Sequence, residues 1–100
     1  MRELTKLFRD VEDVGKGQKK AEKFERLFES GIPKIAKKVG EEGVEIAVAA
    51  MSSKGRKKLV ARESADLLCY LCALWVELGI SEEKLNEALV EARLKFGPNS

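Results

Sequence analysis

The chain has 100 residues, 44% of them apolar, and this length and composition predict one globular domain over residues 1–100. The 19 basic and 17 acidic residues leave a net charge of +2, which excludes the strong positive field of a general nucleic-acid or anionic-membrane binder. The longest uncharged run, residues 67–76, is too short to cross a bilayer, so we expect a cytoplasmic protein without membrane or nucleic-acid partners.

Apolar residues recur at helical spacing along the whole chain, which predicts an all-α protein. The predicted helices span residues 3–14, 18–29, 33–51, 56–78 and 82–96. The predicted breaks between them are Gly15-Lys16-Gly17, Ser30-Gly31, Ser52–Gly55 and Gly79. Ser81 is the expected N-cap of the last helix, with Glu82 and Glu83 in its first turn, and Gly97-Pro98 is expected to close it.

The fourth predicted helix is apolar on nearly all sides beyond Asp66. We expect that one short chain cannot cover so much apolar surface. We therefore expect a bundle of four to five helices completed by homodimerisation. Trp75 and Leu68 are the interface candidates, with ordinary core positions as the alternative. Cys69 and Cys72 form a C-x-x-C within this helix, and because the chain has no histidine and no second cysteine pair, we interpret them as core residues.

Two short acidic clusters lie where a helix of a globular protein should be apolar. Glu42 shares its helical face with four apolar residues, Ile35, Val39, Ile46 and Ala49. Glu63 interrupts the apolar stripe of the fourth helix in the same way. Glu42 with Glu45, and Glu63 with Asp66, are spaced three residues apart, so each pair is expected to point into one space between packed helices.

Such a cluster is unfavourable without a cation, since two carboxylates about 4 Å apart repel by roughly 4 kcal/mol at an effective dielectric near 20. Hard oxygen ligands suit Mg²⁺, with Mn²⁺ as the alternative, and Mg²⁺ keeps positions open for water and substrate phosphate oxygens. The other interpretation places these acids on outer faces, paired with lysines. Expected phosphate-binding residues near the carboxylates are Lys34, Lys37, Lys38 and Arg62, with Arg93 as a further candidate.

Residues 31–42, Glu45 and residues 63–68 resemble the all-α, MazG-like nucleoside triphosphate pyrophosphohydrolases, whose motif is E-E-x-x-E followed by E-x-x-D. Within that superfamily, K-K-V-G-E-E and A-D-L-L are similar to the phosphoribosyl-ATP pyrophosphohydrolases of histidine biosynthesis. The resemblance implies a dimeric helical enzyme that uses Mg²⁺ to cleave the α–β phosphoanhydride of a nucleotide substrate. By position it implies Glu42, Glu45, Glu63 and Asp66 as metal ligands and Glu41 as a further catalytic acid.

The substrate stays open because the chain departs from that family at recognition positions. Glu22 and Phe24 stand where a Ser-x-Thr element is common, Cys69-Tyr70 stands in place of Tyr-His, and Met51 in place of lysine. Three functions remain. They are hydrolysis of phosphoribosyl-ATP, MazG-like hydrolysis of ordinary or damaged nucleoside triphosphates, and a non-catalytic helical interaction module.

Overall fold

A computed structural model describes residues 1–97, and this part of the chain is all-α, as predicted, with no β-strand. Its four helices are α1 (Arg2–Gly15), α2 (Glu22–Ala50), α3 (Arg56–Glu77) and α4 (Glu82–Phe96). Pro98, expected to help close the last helix, lies outside the described residues. Among the helices described, none has both the length and the apolar character needed to cross a membrane.

The helix expected from residue 18 begins four residues later, at Glu22. α2 starts later than predicted because the chain after α1 is held by two backbone hydrogen bonds. The N–H groups of Gln18 and Lys19 both donate to the carbonyl oxygen of Asp13, at 2.8 and 3.3 Å. These bonds hold the connecting segment in a turn. The Glu25 carboxylate then accepts a hydrogen bond from the Ala21 backbone N–H at 3.0 Å, which fixes where α2 starts.

The second and third predicted helices are the two parts of α2, separated by a kink at Gly31. Gly31 has φ 82° and ψ 179°, a backbone conformation essentially restricted to glycine, and Pro33 follows in the next turn. The break predicted at Ser30-Gly31 is thus present as a kink rather than a loop. Both parts of α2 pack on α3, since Leu27 before the kink and Ile35 after it share a core cluster with Ala73.

Substituting Gly31 with alanine should lower the free energy of unfolding by about 1–3 kcal/mol, because alanine disfavours this φ and ψ combination. Gly40 is the matched control, since it is helical and an added Cβ there meets no atom within 4 Å. Gly40→Ala should stabilise the protein by about 0.5–1 kcal/mol. Urea denaturation of both variants tests the kink, and similar effects of the two substitutions would contradict it.

The core lies on two sides of α3. Phe8 and Val11 of α1 pack with Cys72 on one side, and Leu27 and Ile35 of α2 pack with Ala73 on the other. Cys72 has no solvent exposure, in agreement with its interpretation as a core residue, and burial raises the pKa of its thiol to about 12. The Trp75 ring lies 6.1 Å from that of Phe8, so α1 covers part of the α3 side that we expected a partner to cover.

The last helix is attached loosely. Ser81 caps α4 as predicted, accepting a hydrogen bond from the Lys84 backbone N–H at 3.1 Å, and Gly97 follows its last residue. α4 contributes no buried residue, and its links to the rest of the fold include Leu85 packing and an Arg9–Glu82 ion pair of 3.9 Å. The radius of gyration is accordingly 15.0 Å, against about 13 Å for a compact domain of 100 residues.

Candidate active site

Three carboxylates from two helices meet between α2 and α3. Glu42 and Glu45 lie one turn apart on α2, and Glu63 comes from α3, with one oxygen of each residue within 4.8 Å of the other two. The apolar stripe of α2 produces this geometry, because buried Ile35 and Ala49 on either side of Glu42 hold its face against α3. We call Glu42, Glu45 and Glu63 the carboxylate cluster.

The most confined atom of the carboxylate cluster is Oε2 of Glu42, which is shielded from solvent and has no hydrogen-bond partner. Burial, the interaction with the nearby Glu63 carboxyl group and the other negative charges raise the pKa of Glu42 to about 7. The two carboxyl groups can share a hydrogen bond only when one of them holds a proton, so they repel each other when both are ionised. The pKa of Glu45 is also raised, chiefly by its interaction with Glu63.

The carboxylate cluster therefore has the chemistry of a cation site. It offers three hard oxygen donors, one of them buried and unpartnered, with no basic side chain in an ion pair with any of the three in the described part of the chain. A divalent cation would supply the missing positive charge and the missing partner for Oε2. The donor set thus fits the metal inferred from the sequence.

The other predicted site residues do not join the carboxylate cluster. Asp66, one turn beyond Glu63, is exposed and supplies no oxygen to the group, although its charge helps to raise the pKa of Glu42. Glu41 is exposed, and its Oε1 lies 3.7 Å from Nζ of Lys38. The remaining predicted residues are exposed and form no ion pair among residues 1–97: Lys34, Lys37, Arg62 and Arg93.

Comparison with known proteins identifies the family. The family model described as phosphoribosyl-ATP pyrophosphohydrolase matches residues 2–93. The chain belongs to the phosphoribosyl-ATP pyrophosphohydrolase family. This confirms the resemblance inferred from K-K-V-G-E-E and A-D-L-L, and it places the chain in a family of enzymes.

Curated relatives of this pyrophosphohydrolase family are similar over much of the chain. A phosphoribosyl-ATP pyrophosphatase of Streptococcus thermophilus is 37% identical over 90 residues, covering 90% of this chain and 84% of the relative. One from Pyrobaculum arsenaticum is 50% identical over 68 residues, covering 68% of this chain and 70% of the relative. One from Pyrobaculum aerophilum is 55% identical over 56 residues, covering 56% of this chain and 57% of the relative. No solved structure matches the chain significantly.

Lys23 was not predicted as a site residue of this pyrophosphohydrolase. Its charge acts on the Cys69 thiol, whose pKa is raised by burial and by Asp66 and lowered by Lys23. Lys23 and Asp66 thus both act on Cys69, although more than 40 residues separate Lys23 from either of them in sequence. No sequence signal indicated this neighbourhood, because it depends on how the first part of α2 packs on α3.

The raised pKa of Glu42 predicts that the metal-free pyrophosphohydrolase loses stability as the pH rises from about 4.5 to about 7. Between these values the folded protein holds a proton on Glu42 that the unfolded chain releases, so each step up in pH favours unfolding. Urea denaturation in EDTA across this range measures the slope. Glu42→Gln should reduce it, and an equal slope in wild type and variant would contradict the assignment.

Proposed function

We propose that the protein hydrolyses the α–β phosphoanhydride of phosphoribosyl-ATP, releasing phosphoribosyl-AMP and pyrophosphate, with Mg²⁺ as its cofactor. Membership of the family supports the reaction, and the single structural observation that carries it is the carboxylate cluster with its unpartnered buried oxygen. We assign Glu42, Glu45 and Glu63 as metal ligands, with Asp66 completing the set. A nucleotide enzyme of histidine biosynthesis is expected in the cytoplasm.

When bound, Mg²⁺ supplies charge neutralisation at the reacting phosphates and favours ionisation of the attacking water. The protein's own residues then have separate roles. Glu41 lies outside the carboxylate cluster, in an ion pair with Lys38, and we assign it as the acceptor of the proton of the attacking water. Lys34 and Lys37 form no ion pair within residues 1–97, and we assign them to the leaving pyrophosphate, while Arg62 binds substrate phosphate from α3.

A substrate panel tests this function and separates it from MazG-like housekeeping hydrolysis. Pyrophosphate release is measured with Mg²⁺ and with EDTA, on phosphoribosyl-ATP and on common and modified nucleoside triphosphates at equal concentration. We expect kcat/KM for phosphoribosyl-ATP to exceed that for ATP by about 100-fold or more, the range that binding of an additional substrate group provides. Comparable rates on many triphosphates would favour housekeeping hydrolysis, and no release on any would favour an interaction module.

We also propose that the working form is a two-fold homodimer. The groove between α1, α3 and α4 has a volume of about 920 Å³ and includes both predicted interface residues, Leu68 and Trp75, beside Leu89. Further along α4, Leu94 and Phe96 are 76% and 84% exposed. A monomer rarely leaves this much apolar surface to water, whereas a second copy would cover it and fix the loosely attached α4.

A further inference from the structure

The segment that joins the two acidic clusters has only basic charged residues. No acidic residue occurs between Glu45 and Glu63, and the charged residues there are Lys54, Arg56, Lys57, Lys58 and Arg62. The first four lie close together, in the connection between α2 and α3 and in the first turn of α3. We call Lys54, Arg56, Lys57 and Lys58 the cationic end. All four are exposed, and none forms an ion pair in the part of the chain that the structure describes.

Arg56 is the residue of the cationic end that shares a helix face with the carboxylate cluster. Seven residues make almost two helical turns, so Arg56 lies on the same face of α3 as Glu63, displaced by about 10.5 Å along the helix. Its Nε donates a hydrogen bond to the Ser52 carbonyl oxygen at 2.8 Å, which anchors the guanidinium group at the end of α2. The two terminal nitrogens make no hydrogen bond within residues 1–97, and they are the donors that commonly bind phosphate oxygens.

The cationic end opposes helix formation in the absence of an anion. Basic side chains near a helix N-terminus are unfavourable because they meet the positive end of the helix dipole, and the first turn of α3 contains no acidic residue to offset them. The four like charges also repel one another. A doubly charged phosphate group would relieve both effects.

The carboxylate cluster lies between two cationic groups. Lys34 and Lys37 precede it along α2, on the side assigned to the leaving pyrophosphate, and the cationic end lies beyond it. Phosphoribosyl-ATP also carries phosphate on two separate parts, the triphosphate and the 5-phosphate of the phosphoribosyl group. We propose that the cationic end binds the phosphate of the phosphoribosyl group, the group that distinguishes this substrate from ATP. This inference rests on the proposed function.

Product inhibition tests the proposal, because phosphoribosyl-AMP carries the phosphoribosyl group and AMP lacks it. In the pyrophosphate-release assay, Lys57→Gln/Lys58→Gln should raise the inhibition constant of phosphoribosyl-AMP about tenfold, in line with the loss of charge-assisted hydrogen bonds. The inhibition constant of AMP should change less than about twofold on the same argument, and KM for phosphoribosyl-ATP should rise with kcat retained. Lys16→Gln/Lys20→Gln is the matched control, with the same loss of charge away from the site.

Several results would overturn the inference. The first is an unchanged inhibition constant for phosphoribosyl-AMP. The second is an equal rise in the inhibition constants of AMP and pyrophosphate, which would place the triphosphate end of the substrate at these lysines. The third is an equal change in the inhibition constant of phosphoribosyl-AMP in the control variant. Wild-type protein without turnover on phosphoribosyl-ATP would instead contradict the proposed function. In that case the dissociation constants of phosphoribosyl-AMP and AMP are measured by calorimetry for the wild type and both double variants. The proposal then predicts weaker binding of phosphoribosyl-AMP, and not of AMP, in Lys57→Gln/Lys58→Gln alone.

Discussion

Replacing Glu63 with glutamine should lower kcat/KM for phosphoribosyl-ATP by about a thousandfold, equivalent to roughly 4 kcal/mol of transition-state stabilisation. Glu63 is the α3 member of the carboxylate cluster, so its loss leaves Asp66, which lies outside the cluster, as the only proposed metal ligand from α3. Glutamine has nearly the same shape and keeps one oxygen, but it removes the negative charge that a divalent cation requires.

The stability of the same variant distinguishes a catalytic role from a structural one. Since Glu63 raises the pKa of both Glu42 and Glu45, removing its charge relieves repulsion, and the metal-free variant should be as stable as the wild type or more stable. Glu77→Gln is the matched control, because Glu77 is an exposed glutamate on the same helix. Steady-state kinetics and urea denaturation provide the two readouts. Unchanged turnover in Glu63→Gln would contradict the proposed active site.

Replacing Leu89 with aspartate should dissociate the proposed dimer. Leu89 is 61% exposed, lies in the groove beside Trp75, and would be buried twice in a two-fold interface. Each buried leucine contributes about 1.5–3 kcal/mol, so two replaced copies should weaken association by roughly 3–6 kcal/mol, which raises Kd more than about 100-fold. Sedimentation equilibrium measures this change directly.

Lys84→Asp controls for the added charge, because Lys84 is an exposed residue of α4 that does not line the groove. It should leave the association state unchanged. The circular dichroism of Leu89→Asp should show whether α4 keeps its helicity once it is no longer covered. A wild-type protein that sediments as a monomer at all concentrations would contradict the dimer, as would an equal effect of the two substitutions.

Local sequence signals predicted most of the fold. The apolar periodicity gave the extent of α3 to within a residue, and Ser81 with its two following glutamates marked the start of α4. The start of α2 was misplaced, because the hydrogen bonds that delay it involve the Asp13 carbonyl in the preceding turn. Backbone bonds of this kind leave no trace in side-chain composition.

The acidic part of the site could be predicted because of where its residues interrupt apolar stripes. Glu42 and Glu63 each occupy a position that packing requires to face another helix, so their approach to each other followed from periodicity. The position of Asp66 relative to the carboxylate cluster could not be predicted from periodicity, because it depends on the rotation of α3 against α2. The neighbourhood of Lys23 likewise needed the tertiary structure, since it joins parts of the chain that are distant in sequence.

The most direct measurement is the identity and stoichiometry of the products formed from phosphoribosyl-ATP, by chromatography, with Mg²⁺ and with EDTA. The proposed function predicts equimolar pyrophosphate and phosphoribosyl-AMP, formed only with the metal and lost in Glu63→Gln. Release of orthophosphate, turnover that persists in EDTA, or no turnover at all would contradict a metal-dependent pyrophosphohydrolase built on Glu42, Glu45 and Glu63.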